Sequence, residues 1–169
     1  MAEYSTDSFK PALPFNVRRR SFFFTFLLSI TGSYAAGTDI AIVVRPDVPV
    51  ENLSFGDVRK LFLGDRQFWT SDLRVTLLVR APVARERDVV LKSIYQMNEA
   101  QFRQYWISKI FRADAVNGPK VVYSSEMAIE LVTAIRGAVA FIASDQVPKG
   151  LKVLKVDGKL PGEKGYPLR

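Results

Sequence analysis

The chain contains no cysteine and no histidine. The first absence excludes disulfides, thiolate nucleophiles and cysteine-held metals; the second removes the imidazole general base and a common zinc ligand. Neither a carboxylate pair nor a lysine stands in a spacing that proposes catalysis, so the chain reads as no enzyme, with no catalytic residue, metal or cofactor. Acidic side chains are the minority, 17 against 24 Lys and Arg, and the net charge of +7 points to anionic partners. Internal repeats, low-complexity tracts and linkers are absent as well. Long hydrophobic runs are confined to the N-terminal region, where Ser21–Ile30 (SFFFTFLLSI) falls well short of the roughly twenty residues that span a bilayer.

That run is preceded by Arg18, Arg19 and Arg20 and followed by small residues at Ser33 and Ala35. A basic stretch, a short apolar core and a small-residue site have the order of an export signal, so residues 1–35 read as a leader cleaved after Ala35. Arg19 and Arg20 before Ser21-Phe22-Phe23 also hint at a twin-arginine route. Residues 1–16 add nothing to a signal, which suggests a start near Val17. Residues 36–169 then form one domain in the periplasm or outside the cell, with no membrane-spanning segment after processing. Removing residues 1–35 takes away four basic and two acidic side chains and leaves +5. Lys and Arg are scattered along this domain and not massed on one face, so nucleic acid is not an expected partner.

Hydrophobic patterning of residues 36–169 alternates strands with helices. Residues 39–45 (DIAIVVR) read as a strand stopped by Pro46. Ser54 caps a helix through Val58, Leu61 and Phe62, with Asp57 in place of the usual Glu or Gln and Gly64 as its stop. Residues 73–80 (LRVTLLVR) read as an inner strand covered on both faces. A helix over 84–97 buries Val90, Leu91, Ile94 and Tyr95. Asn98 with Gln101 caps the next, whose apolar face is Phe102, Tyr105, Trp106 and Ile110. A loop over 112–119 follows, then a helix over 126–136 capped by Ser124 or Ser125 and closed by Gly137. Strands over 138–143 and 151–156 precede a turn-rich tail. The pattern implies an α/β sheet with crossover connections. Leu61, Phe62, Tyr105 and Trp106 read as packing residues, and so does Trp69, placed in a loop.

The stretch LLVRAPVARERDVVL, residues 77–91, has the layout of an anion site: a strand ending in Arg80, a turn, and a helix start carrying Arg85 and Arg87. A free helix N-terminus offers N–H donors and a favourable dipole. Glu86, in the first turn, opposes an anion there.

With these landmarks placed, the chain resembles the phosphate ABC-transporter substrate-binding family of the type II periplasmic-binding fold. The residues that carry the likeness are Leu53-Ser54, Leu61-Phe62-Leu63-Gly64 with Trp69, Arg80, Tyr105-Trp106 through Phe111, Gly137–Phe141, Lys155–Gly158 and Gly165–Leu168. The resemblance implies a periplasmic-binding-protein-like sheet flanked by helices, as a single lobe or a reduced two-lobe form, because 36–169 enters the family pattern partway. It also implies phosphate or a similar inorganic oxyanion as ligand and an ABC permease as partner. The family's phosphate loop, Arg-x-x-x-Ser-Gly-Thr, falls here on Arg80, Ala84, Arg85 and Glu86: the arginine is kept and both hydroxyls are gone. Arg80, Arg85, Arg87 and Ser125 are the expected ligand residues. The alternative is a binding-fold module without a small ligand that works through protein contacts at the cell envelope. An open cleft lined by Arg80 and Ser125 would favour the first reading.

Overall fold

The structure is a computed structural model and describes residues 38–169. The leader, its cleavage after Ala35 and the start near Val17 lie outside these residues. Among the described residues no helix is long and apolar enough to cross a membrane.

The elements follow in the order β1 (Ile40–Val44), β2 (Asn52–Leu53), α1 (Phe55–Phe62), β3 (Phe68–Thr70), β4 (Leu73–Arg74), β5 (Thr76–Arg80), α2 (Arg85–Val90), α3 (Glu99–Phe111), β6 (Lys120–Val122), α4 (Ser125–Ala134), β7 (Ala138–Ala143), β8 (Lys152–Val153) and β9 (Lys155–Val156). Five strands form the main sheet in the order β6-β5-β7-β1-β8. β5 runs parallel to both β6 and β7, and β1 runs antiparallel to β7 and β8. Every residue of β1 and β7 is buried, as expected of strands covered on two faces. Ile40, Ile42 and Val44 face a large core with α1, α2 and α3, while Ala41 and Val43 face a smaller one under α4. That split is the period-two alternation of a strand.

The strand expected over 73–80 is inner, but it is two pieces. Val75 donates its N–H to the carbonyl of Gln67 at 2.8 Å, which completes a hairpin of β3 and β4; Thr76 donates to the carbonyl of Gly137 at 3.1 Å and enters the main sheet. Residues 151–156 divide likewise. β8 pairs with β1, and β9 pairs in parallel with β2, on either side of the buried Leu154.

Ser54 Oγ accepts from the N–H of Asp57 at 3.0 Å and donates to its carboxylate at 2.7 Å, so the shorter Asp replaces the usual reciprocal bond to the cap backbone. Asn98 and Gln101 make both bonds of a capping box. Gly64 and Gly137 follow their helices with φ of +71° and +78°. The helix expected over 84–97 is α-helical only to Val90; Leu91–Tyr95 form a π-helical turn that ends at left-handed Gln96. Val90, Leu91, Ile94 and Tyr95 are buried as expected.

Two expectations fail. Ile110 is 44% exposed, because the buried stripe of α3 runs Phe102, Trp106, Lys109. Lys109 lays its stem in the core and pairs its ammonium with Asp65 and the Tyr105 hydroxyl. Trp69 lies in β3 and not in a loop; it is buried, and its indole N–H donates to the carbonyl of Gly137 at 2.9 Å.

Candidate functional site

Arg80 is the last residue of β5, at the carboxyl end of three parallel strands, the place where ligands gather in open α/β sheets. Its Cα partner across the sheet is Val122, three residues before Ser125 opens α4. The turn after Arg80 is closed by the N–H of Ala84 on the carbonyl of Ala81, with Val83 at a φ of 71°, and α2 starts at Arg85. The ends of β5, α2 and α4 thus place one guanidinium near the first turns of two helices. Ala84 occupies the cap position of α2 and has no side chain with which to cap it.

The Arg80 side chain is 12% exposed. Its Nε and Nη1 are buried and have no hydrogen-bond partner. Glu86 Oε2 lies 3.8 Å from Nε, within ion-pair reach but beyond a hydrogen bond. A second carboxylate, Glu126, lies in the first turn of α4. Its own backbone N–H and the Ser124 hydroxyl hold it below the usual range, and Arg80 adds a smaller pull in the same direction. Leaving a buried guanidinium N–H without an acceptor costs about 1–3 kcal/mol, and the 3.8 Å approach of Glu86 offsets this only by charge.

The four residues expected from the sequence do not converge. Ser125 is buried at the start of α4. Arg85 turns away from Arg80 and donates to the carbonyl of Thr38 at 2.7 Å. Arg87 is 3% exposed and all three of its nitrogens are engaged: Nε and Nη2 on the two oxygens of Glu99 at 2.8 Å, Nη1 on the carbonyl of Arg80 at 2.6 Å. Its guanidinium also stacks 4.7 Å over Phe102. Arg87 is therefore a clamp that fixes the end of β5 against α3, and not a free donor for a ligand. The reason is positional: residue 87 is buried on α2, and a buried guanidinium needs a counter-charge, which Glu99 of α3 supplies. Neither Arg80 nor Ser125 lines the cleft beside Thr76 and Leu77, the one beside Met97 and Asn98, or the one beside Thr38 and Arg169. Leu61, Phe62 and Trp106 are buried in the core, Trp106 also bordering the cleft beside Thr76 and Leu77, and the half-buried Tyr105 hydroxyl donates to the carbonyl of Leu63 at 2.8 Å.

Two features escaped the sequence reading. Glu126 at the Arg80 corner required knowing that α4 starts beside β5. A cleft edged by Arg66, Arg74 and Lys120 joins residues far apart in the chain. Among the described residues no group of three or more side chains is placed to hold a metal ion.

No family model and no curated protein matches the chain. Solved structures do. An ABC-type phosphate transport receptor from Vibrio cholerae superposes with a TM-score of 0.60 at 22% identity, over 73% of this chain and 48% of its own. PstS from Borrelia burgdorferi gives 0.61 at 16%, over 78% and 54%. A phosphate-binding protein from Stenotrophomonas maltophilia gives 0.54 at 17%, over 73% and 40%. The chain spans about half the length of these structures. Its fold is that of the phosphate-binding proteins of ABC transporters, over part of their length.

Proposed function

We propose that this chain is an extracytoplasmic solute-binding-type protein that takes phosphate or a related inorganic oxyanion at Arg80 and serves an ABC permease. The observation that carries the reading is the buried Arg80 guanidinium, two of whose nitrogens have no acceptor, at the carboxyl end of β5. Arg presents a fixed fork of donors matched to oxyanion oxygens. On this reading the N–H groups of Arg85 and Glu86, which open α2, are further donors. Export rests on the order of basic, apolar and small residues over 18–35.

Glu86 sets the strength of the site. A carboxylate about 4 Å from a bound anion at an effective dielectric of about 20 repels it by roughly 4 kcal/mol, or about three decades of affinity if nothing offsets it. Wild type is therefore expected to bind phosphate weakly, in the millimolar range. Isothermal titration with phosphate and sulfate provides the test. Arg80→Ala should remove binding, and Glu86→Thr should tighten it at least tenfold, in protein shown to be folded by circular dichroism.

One observation favours a second reading. The Glu86 carboxylate already stands beside the guanidinium, and Arg85 and Arg87 are committed to Thr38 and Glu99. A corner filled by its own side chains suits a binding-fold module that works through protein contacts. If neither wild type nor Glu86→Thr binds phosphate or sulfate at millimolar concentrations, that reading replaces the first.

A further inference from the structure

At the opposite end of β5 from Arg80, four strand residues or roughly 13 Å away, a cleft of about 410 Å³ opens beside Thr76 and Leu77. Arg66, Arg74 and Lys120 line it, with no carboxylate among the lining residues. None of the ion pairs among the described residues uses these three cations. Arg66 is held in place: its guanidinium lies 5.7 Å from the Trp69 ring centroid and donates to the carbonyls of Phe68 and Trp69. Arg74 sits 5.5 Å over Phe68 on the exposed face of the β3–β4 hairpin, and Lys120 is exposed at the start of β6. Arg66 thus contributes a fixed positive field, while Arg74 and Lys120 can turn towards an occupant. A concave site lined by one sign of charge concentrates counter-ions.

The remaining wall decides what kind of anion fits. Trp106 and Leu77 form an apolar side and the exposed Val116 a lip. The volume lies within the range of clefts that hold small organic molecules, about 300–1,000 Å³. An inorganic oxyanion would leave the indole and the aliphatic wall uncovered. We infer that this cleft is a second binding site, separate from Arg80, for a small organic anion: an apolar body against Trp106 and Leu77, and a phosphate or carboxylate head between Arg74 and Lys120.

The test is a titration of the full chain with phenyl phosphate, followed residue by residue by amide chemical shifts, with inorganic phosphate as the parallel arm. Saturable shifts centred on Gly64, Val116 and Gly118 are expected with phenyl phosphate and not with inorganic phosphate at the same concentration. Charge reversal at both exposed cations, Arg74→Glu with Lys120→Glu, should weaken the phenyl phosphate titration read at Gly64, Val116 and Gly118 at least tenfold; Arg80→Ala should leave the titration read at those three residues unchanged. Lys120→Gln alone, at an exposed position that leaves the fold intact, should still weaken it two- to threefold. Phenol binding the cleft as well as phenyl phosphate would overturn the role of the cations. Shifts confined to residues 80–86, or binding indifferent to both Lys120→Gln and the double reversal, would overturn the site. Neither result touches the Arg80 reading, which stands or falls on inorganic phosphate and Arg80→Ala.

Discussion

Gly137 shows how much one residue can hold. Its carbonyl accepts from the indole of Trp69 and from the N–H of Thr76, so it ties the β3–β4 hairpin and the start of β5 to the start of β7. Its φ is +78°, and a Cβ added there would lie 2.1 Å from the carbonyl oxygen of Arg74. Both the left-handed backbone and the close approach demand glycine. Gly137→Ala should cost about 3–5 kcal/mol by combining backbone strain with displacement of a packed neighbour. Gly150 is the control, with a φ of +104° and nothing within 4 Å of the added atom. Gly150→Ala should cost only about 1–2 kcal/mol. Urea unfolding of the two variants measures the difference, and equal costs would mean that the approach to Arg74 does not constrain the fold. The sequence marked Gly137 as a helix stop; it held no sign of the strand pressed against it.

Among the elements, α2 and its π-helical turn show where reading by periodicity succeeds and where it stops. The spacing of Val90, Leu91, Ile94 and Tyr95 identifies the buried face, because burial depends on which side of a helix a residue occupies. Periodicity is silent on the widened turn and on what Tyr95 at its end meets: its hydroxyl donates to the carbonyl of Phe62 at 2.8 Å, and its ring meets Phe102 edge-on at 4.8 Å. The Arg80 corner was legible in the same partial way. Strand, turn and helix start could be placed from residues 77–91, but the commitments of Arg85 to Thr38 and Arg87 to Glu99 are long-range and leave no local trace. Burial of Tyr95 has a measurable consequence. Desolvation raises its phenol far above the ordinary value of 10.0, and burial raises Tyr166 in the same direction. In the unfolded chain both phenols lose their protons near pH 10. The folded state then binds more protons than the unfolded state, so stability is fully present below about pH 10 and falls as pH rises above it. Each phenol contributes up to about 1.4 kcal/mol per pH unit in that window. Urea midpoints should be flat from pH 8 to 9.5 and fall steeply from pH 10 to 11.5. Tyr166→Phe should make the fall shallower, and an unchanged slope would show that Tyr166 ionises without unfolding.

At the scale of the whole molecule, residues 158–169 have the composition of a loose tail and the role of a fastening. Tyr166 is buried and its hydroxyl donates to the carbonyl of Ile40 at 2.7 Å; Ile40 returns its N–H to the carbonyl of Leu168 at 2.9 Å, and Leu168 is itself fully buried. The N–H of Gly162 also reaches the Asp39 carboxylate at 2.6 Å. The last described residues therefore clasp the first described strand, which lies inside the sheet between β7 and β8. Short turns read as surface because glycine and proline dominate them, and only Tyr166 and Leu168 distinguish this segment from a solvated end. Burying a Leu or an aromatic side chain stabilises by about 1.5–3 kcal/mol each, so deleting residues 165–169 should remove roughly 4 kcal/mol. That is a large share of the 5–15 kcal/mol typical of a domain. The truncated chain should show a sharply lower urea midpoint and fast amide exchange at Ile40 and Ala41, where the full chain is protected. Arg169→Ala separates the clasp from the charge beside it. Arg169 lies 3.7 Å from Asp39 but is half-exposed, and such a pair contributes at most about 1 kcal/mol. A truncation no more costly than Arg169→Ala would mean that Tyr166 and Leu168 rest on the core without holding it. The expected order, with the deletion several-fold more costly, makes these two side chains the part of the tail that secures β1.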